Sequence, residues 1–327
     1  HNAQGKTSVL EAILFATTSK SHRTTDERDL VAHGERDFHV YLRGQRTDRD
    51  VAIDAHWWNG TKRFRINGVA QTRVSEVLGK LAVVIFSPED IELVKGGAAT
   101  RRRFLDMGLS QVNPAYLNAL QQYRQVLRQR NELLRQPRPD TDLLDVWDVQ
   151  LAEHGTAIIG ERASFLDQLS PLAAVAYQRI SGGEGFSVNY TPDVPPDESL
   201  ASVLAKARPS DLRRAMTTHG PHRDDIEICV AGQPARNFAS QGQQKSAALA
   251  LKLAELDLVK GRMGEYPVLM LDEAVSELDA KRSRQLFDAI DVSVQSLLTT
   301  TQLDDSELFG RFESTFLRIE RGHLEKE

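Results

Sequence analysis

Two acids stand side by side at the end of an apolar run, Val268-Leu269-Met270-Leu271-Asp272-Glu273. The run reads as a buried strand. Neighbours on a strand point to opposite faces, so the two carboxylates have different work to do. Asp272 suits the holding of Mg²⁺. Glu273, just past the strand, suits polarising an attacking water as general base. A partner for that chemistry lies near the start of the chain. Gly5-Lys6-Thr7-Ser8 is the second half of a phosphate-binding loop. There, backbone N–H groups at a helix start cradle phosphate, Lys6 brings a point charge to the β- and γ-phosphates, and the Thr7 hydroxyl faces Mg²⁺. The first glycine of the pattern would fall one position before His1, so the first strand is expected upstream. Alone, the half motif reads equally as a Gly-initiated helix with a surface lysine; Asp272-Glu273 tips it toward a nucleotide site.

A third piece, Ser240-Gln241-Gly242-Gln243-Gln244, opens a helix about one helix length before Asp272. An N-cap serine, a flexible glycine and polar side chains make a second phosphate-facing helix start; a plain N-cap is the alternative. Ser276-Glu277-Leu278-Asp279 follows Glu273, and Thr299-Thr300-Thr301-Gln302 follows the next strand.

The elements that must position these residues are legible in outline. Val9 to Leu14 suit a helix packed on a sheet. Residues 38–67 alternate polar and apolar and turn at Asn59-Gly60, which predicts an antiparallel meander. Trp57 and Trp58 then point opposite ways. Leu81 to Phe86 is a short strand, and Ser87-Pro88-Glu89-Asp90 a helix start. Leu120, Tyr123, Leu127 and Leu134 keep a three-four spacing broken by Arg130, and Trp147 to Leu169 resume it after Gln136-Pro137-Arg138-Pro139-Asp140. That predicts a helical hairpin, either a protruding arm or part of a compact lobe. Residues 182–200 read as loop. Asp225 to Val230 is a strand, Ser240 to Lys260 a helix, Lys281 to Ile290 a helix, and Ser296 to Leu298 and Thr315 to Glu320 are strands. Strand–helix alternation at both ends of a helical middle predicts an α/β domain, residues 1–108 with 218–327, split by a mainly helical insertion at 109–217.

Composition narrows the class. Of 327 residues, 40% are hydrophobic and 27% charged, which excludes disorder. No apolar run reaches the ~18 residues of a membrane helix. A lone cysteine, Cys229, excludes an internal disulfide framework and fits a cytoplasmic setting. Charge is split: residues 1–138 carry a net +7 and residues 139–327 a net −12. A basic half is compatible with a nucleic-acid face, and equally with chance clustering.

The motif order resembles the ABC-type ATPase head shared by transporters and SMC proteins. More narrowly, Ser21-His22-Arg23, Phe86 to Asp90, Arg101-Arg102-Arg103-Phe104-Leu105-Asp106, Gly220-Pro221-His222-Arg223-Asp224-Asp225 and Ser240 to Gln244 resemble the bacterial RecF family of recombination mediators. The resemblance implies an ABC/SMC-like ATPase head that binds ATP and Mg²⁺ and dimerises on ATP. Asn2, Gly5, Lys6, Thr7 and Ser8 of one copy would face Ser240, Gly242 and Gln243 of the other, with Asp279 near the interface. It implies binding of double-stranded DNA and single-strand/duplex junctions, and cooperation with RecR and RecO in loading RecA. Thr301 or Gln302 stands where many relatives place a switch histidine, and Glu89 where they carry a Q-loop glutamine. A transporter subunit, a small-molecule kinase and a non-catalytic scaffold are the rival readings.

Candidate DNA contacts are Arg101, Arg102, Arg103, Arg124 and Arg128, within a stretch rich in arginine. Phosphate contacts need only cations. Arg101 to Arg103 can equally pair with acids, and Arg124 to Arg138 can be a solvated face. His222-Arg223-Asp224-Asp225 reads as a salt-bridged turn rather than as metal ligands.

Overall fold

The protein is described from a computed structural model covering residues 5–273, 280–300, 310–320 and 322–326. The chain forms two compact units, one of His1–Asp90, Arg179–Gly183 and Leu249–Glu327, the other of Ile91–Gln178 and Glu184–Ala248. This division differs from the sequence-based one over residues 91–108, 179–183 and 218–248.

In the first unit, the helix Lys6–Thr18 is followed by the antiparallel strands Asp37–Gln45, Asp50–Trp58, Thr61–Ile66 and Val69–Ala70, in that spatial order. Asn59 (φ 45°) and Gly60 (φ 80°) make the tight turn that matches strand twist. The inner face of this sheet, with Ile53, Ala55, Trp57 and Phe64, closes on Phe15 and Ala16 of the helix. Trp57 stacks on Phe38, while Trp58 lies exposed on the outer face.

A second sheet is parallel, with Val268–Asp272 central between Ser296–Thr299 and Val83–Phe86. Leu10 and Leu14 of the first helix cover Val83 and Met270 of that sheet. One helix therefore carries both sheets: its first turn stands at the end of the central strand, and its later turns fill the meander core.

The second unit is built on Ala98–Val112, Pro114–Leu134 and the 41-residue helix Thr141–Ser181, whose last residues, Arg179–Ser181, belong to the first unit. Asn113 caps the second of these, accepting from the Ala115 and Tyr116 amides, with Pro114 at its first position. Gly155 allows a close approach: an added Cβ would stand 2.3 Å from Leu200 Cδ2 and 3.1 Å from Tyr123 Cε2. The loop expected over residues 182–200 is a correction. Phe186–Thr191 is a strand, antiparallel to Asp225–Val230, its Phe186 and Val188 turned inward. The surrounding Gly and Pro residues masked a six-residue alternation.

Arg130 does not interrupt the stripe of its helix but occupies it. It is fully buried, its guanidinium bound to Asp148, to Asp211 at 2.8 Å and to Thr217 at 2.8 Å.

Candidate functional site

Gly5 precedes the first helix with φ 104° and ψ 6°, a backbone conformation open to glycine and strained for other residues. The first helical backbone bond runs from the Val9 amide to the Gly5 carbonyl, so the amides of Lys6, Thr7 and Ser8 lie ahead of the ladder. This is the local form of a phosphate cradle. Lys6 Nζ reaches across to the carbonyl of Thr300 at 2.9 Å. Ser8 is exposed at the helix start.

Behind this turn lies the end of the central strand. Register pairs Thr299 with Asp272 on the neighbouring parallel strand. Thr299 Oγ1 donates to Asp272 Oδ1 at 2.7 Å, and Thr7 Oγ1 donates to the same oxygen at 3.0 Å. Thr299 Oγ1 also accepts from the Glu273 amide at 3.0 Å. Asp272 is only 4% exposed. Burial pushes its carboxyl up, but the His22 imidazole and the Thr299 and Thr7 hydroxyls outweigh that and hold it below the usual range. The group is a buried carboxylate, charged throughout the physiological range.

Glu273 has φ 48°, uncommon for a residue with a Cβ. The turn redirects its side chain away from the path a continuing strand would give it. The donor set fits a hydrated Mg²⁺: a hydroxyl whose proton is committed to a carboxylate and whose lone pairs remain open, beside that anionic carboxylate. Asn2, Asp279 and Gln302 lie outside the described residues, as does Thr301.

His22 and Thr299 stand within motifs legible in the sequence, though neither residue type implies a role there. The helix ends in Ser19 with φ 58°, and Ser21 binds the buried Glu11 of the same helix. Ser21 Oγ also accepts the Arg23 and Thr24 amides. So anchored, the loop places His22 Nε2 3.6 Å from Asp272 Oδ2. Ser87 accordingly begins a short helical turn, its amide donating to Asp90 at 2.8 Å, with Glu89 exposed.

Ser240, in the second unit, caps the helix Gln241–Met263, whose residues from Leu249 on belong to the first, by a reciprocal pair: the Gln243 amide donates to Ser240 Oγ at 3.3 Å and the Ser240 amide to Gln243 Oε1 at 2.7 Å. Gln243 Nε2 also donates to Glu184. Its amide is therefore engaged in capping, while Ser240 is exposed and Gly242 half-buried.

The arginines sort by burial. Arg101 is 5% exposed and grips Asp225 with both arms, at 2.7 and 2.9 Å, while a third donor reaches the Gly96 carbonyl at 2.8 Å. That corrects its reading as a phosphate contact: no face of its fork is left for DNA. Arg102 donates to the Asp224 carbonyl at 2.6 Å and Arg124 to Asp106 at 2.7 Å, the latter side chain remaining half-exposed. Arg103 and Arg128 are exposed. Asp224 is held by Arg162, by Tyr190 and by the Asp193 amide. Asp224 and Asp225 are thus structural anchors, and among the described residues no cluster of His, Cys, Asp and Glu could hold a metal.

No described helix is long and apolar enough to cross a membrane. No protein-family model matches the chain. Among curated proteins, it is 41% identical over 309 residues to the DNA replication and repair protein RecF of Lachnoclostridium phytofermentans, covering 93% of this chain and 85% of that one. It is 37% identical to RecF of Shouchella clausii over 99% of this chain and 91% of the relative. Among solved structures, it superimposes on the recombination mediator protein RecF-ATP with TM-score 0.90 and 33% identity, over 100% of this chain and 89% of that chain. The Smc head domain of Pyrococcus furiosus, 16% identical at TM-score 0.57 over 100% of this chain and 88% of that chain, shares the α/β fold of an SMC-type head.

Proposed function

The chain belongs to the RecF family of DNA replication and repair proteins, and from that premise we propose that it is an ATP-dependent DNA-binding recombination mediator of the cytoplasm. The observation that carries this reading is the bonded chain Thr7–Asp272–Thr299–Glu273 beside Lys6. Gly5 and the first-turn amides hold the phosphates, and Lys6 leaves the Thr300 carbonyl to pair with them. Thr7 and Asp272 hold Mg²⁺, which when bound neutralises charge on the terminal phosphates. Glu273 orients and deprotonates the attacking water.

Ser240 and its helix complete the site from a second copy, so nucleotide binding drives dimerisation and DNA binding, and hydrolysis drives release. Hydrolysis is slow and acts as a timer. The functional head is residues 1–108 and 218–327, with 109–217 as its arm. Duplex DNA and single-strand/duplex junctions are the substrates, and RecR with RecO the partners in loading RecA.

Light scattering of Glu273→Gln with and without ATP-Mg²⁺ tests this. A monomer that becomes a dimer only with ATP is the expected outcome. A monomer in both states, with ATP bound, would overturn the composite site.

A further inference from the structure

Among the described residues at the strand end, His22 is the side chain whose polar atoms are unaccounted for. Its side chain is 9% exposed, and both ring nitrogens are sealed from solvent without a hydrogen-bond partner among the described residues. Buried polar atoms are normally satisfied, and a buried imidazole left open is a cost that an apolar side chain would remove. The loop that carries it is not slack. Ser21 ties it to Glu11, and Ser21 Oγ takes the two amides that follow His22. The ring is therefore held where it is despite its unmet bonds.

What it faces is specific. Asp272 Oδ1 is saturated by two hydroxyls, from Thr7 and Thr299. The other oxygen, Oδ2, has His22 Nε2 at 3.6 Å, just beyond hydrogen-bond length. The two groups stand within ion-pair distance. A carboxylate bound through one oxygen alone still swings about its terminal torsion, which is broad. Fixing the second oxygen fixes the plane of the carboxylate.

We propose that His22 is a positioning residue for Mg²⁺: it holds Asp272 Oδ2 so that the carboxylate presents a single orientation to the hydrated ion. The inference rests on the nucleotide site proposed above. It assigns His22 no contact with phosphate and no proton transfer. Outer residues that orient a metal-facing carboxylate commonly change metal affinity by about 10- to 100-fold when removed.

The test measures affinity for a fluorescent ATP analogue by anisotropy, in EDTA and across a Mg²⁺ titration, for the parent, His22→Leu and His22→Gln. Glutamine keeps an amide donor at about the reach of Nε2; leucine keeps bulk alone. In EDTA all three are expected to bind alike. His22→Leu is expected to need about tenfold more Mg²⁺ for the half-maximal gain in affinity, and His22→Gln to recover most of that loss. A Mg²⁺ midpoint in His22→Leu equal to the parent's would overturn the inference. So would an equal loss of affinity with and without Mg²⁺, which would mean a merely structural histidine. A parent with no Mg²⁺-dependent gain would instead overturn the nucleotide site itself, and this inference with it.

Discussion

Thr299 serves two groups at once, accepting the Glu273 amide and donating to Asp272. Replacing it by valine keeps the shape and removes both bonds, leaving a buried carboxylate oxygen with one donor fewer and taking the Thr299 acceptor from the Glu273 amide. Thr299→Val is expected to lower the hydrolysis rate by about tenfold or more while nucleotide affinity stays within about twofold, and to lower stability by about 1–3 kcal/mol. Single-turnover hydrolysis and urea denaturation check the two parts. Asp272, Glu273, Lys6 and Thr7 were legible in the sequence as candidates, because the chemistry proposed for them follows from residue type and local spacing. The contacts of Thr299 and His22 with Asp272 were not legible there. Their roles depend on strand register and on a loop's return path, which are tertiary facts.

Elements are held as much by buried ions as by apolar stripes. Arg162 lies on the long helix between Ile158 and Phe165, at core spacing, and is buried. It donates to Asp106 at 2.8 Å, to Asp224 at 2.8 Å and to the Pro221 carbonyl at 2.7 Å. One side chain thus joins three segments distant in sequence. Arg162→Ala leaves two carboxylates short of their partner and is expected to cost about 3–5 kcal/mol, read from the denaturation midpoint. The signal was present in the sequence as an arginine at a core position, and at Arg130 likewise, but a polar residue on a stripe reads first as a break. His222 gives the same unit a pH response. Burial pushes its imidazole down. Its Nε2 contacts the Thr217 carbonyl at 3.2 Å, which leaves Nδ1 to accept from Tyr123 at 2.7 Å, so the neutral ring is the one that fits. A depressed folded pKa makes the contribution complete above the unfolded value of about 6.5 and lost as pH falls through the folded one. Stability is therefore expected to drop from pH 7 to pH 5, and the drop to shrink in His222→Gln, as urea midpoints at the two pH values report.

At the scale of the whole molecule, the α/β class, the meander, the helical hairpin and the order of the motifs all followed from periodicity and turn chemistry. The charge split did not locate a DNA face, because composition cannot tell arginines buried in ion pairs from arginines left exposed to solvent. Arg101 is of the first kind and Arg128 of the second. Arg128→Ala is expected to reduce the slope of log DNA affinity against log salt by about 1 without moving the melting temperature. Arg101→Ala is expected to lower the melting temperature instead, since Asp225 loses its grip. Thermal melts beside affinities measured over a salt series distinguish the two. The single cysteine, Cys229, is buried in a strand, and burial pushes its thiol up, away from the reactive thiolate. A maleimide dye added to the native protein will therefore report only on a thiol placed by choice. Introduced at an exposed position such as Arg128, one fluorophore per copy turns association of two copies into an energy-transfer signal, with no background residue to remove first.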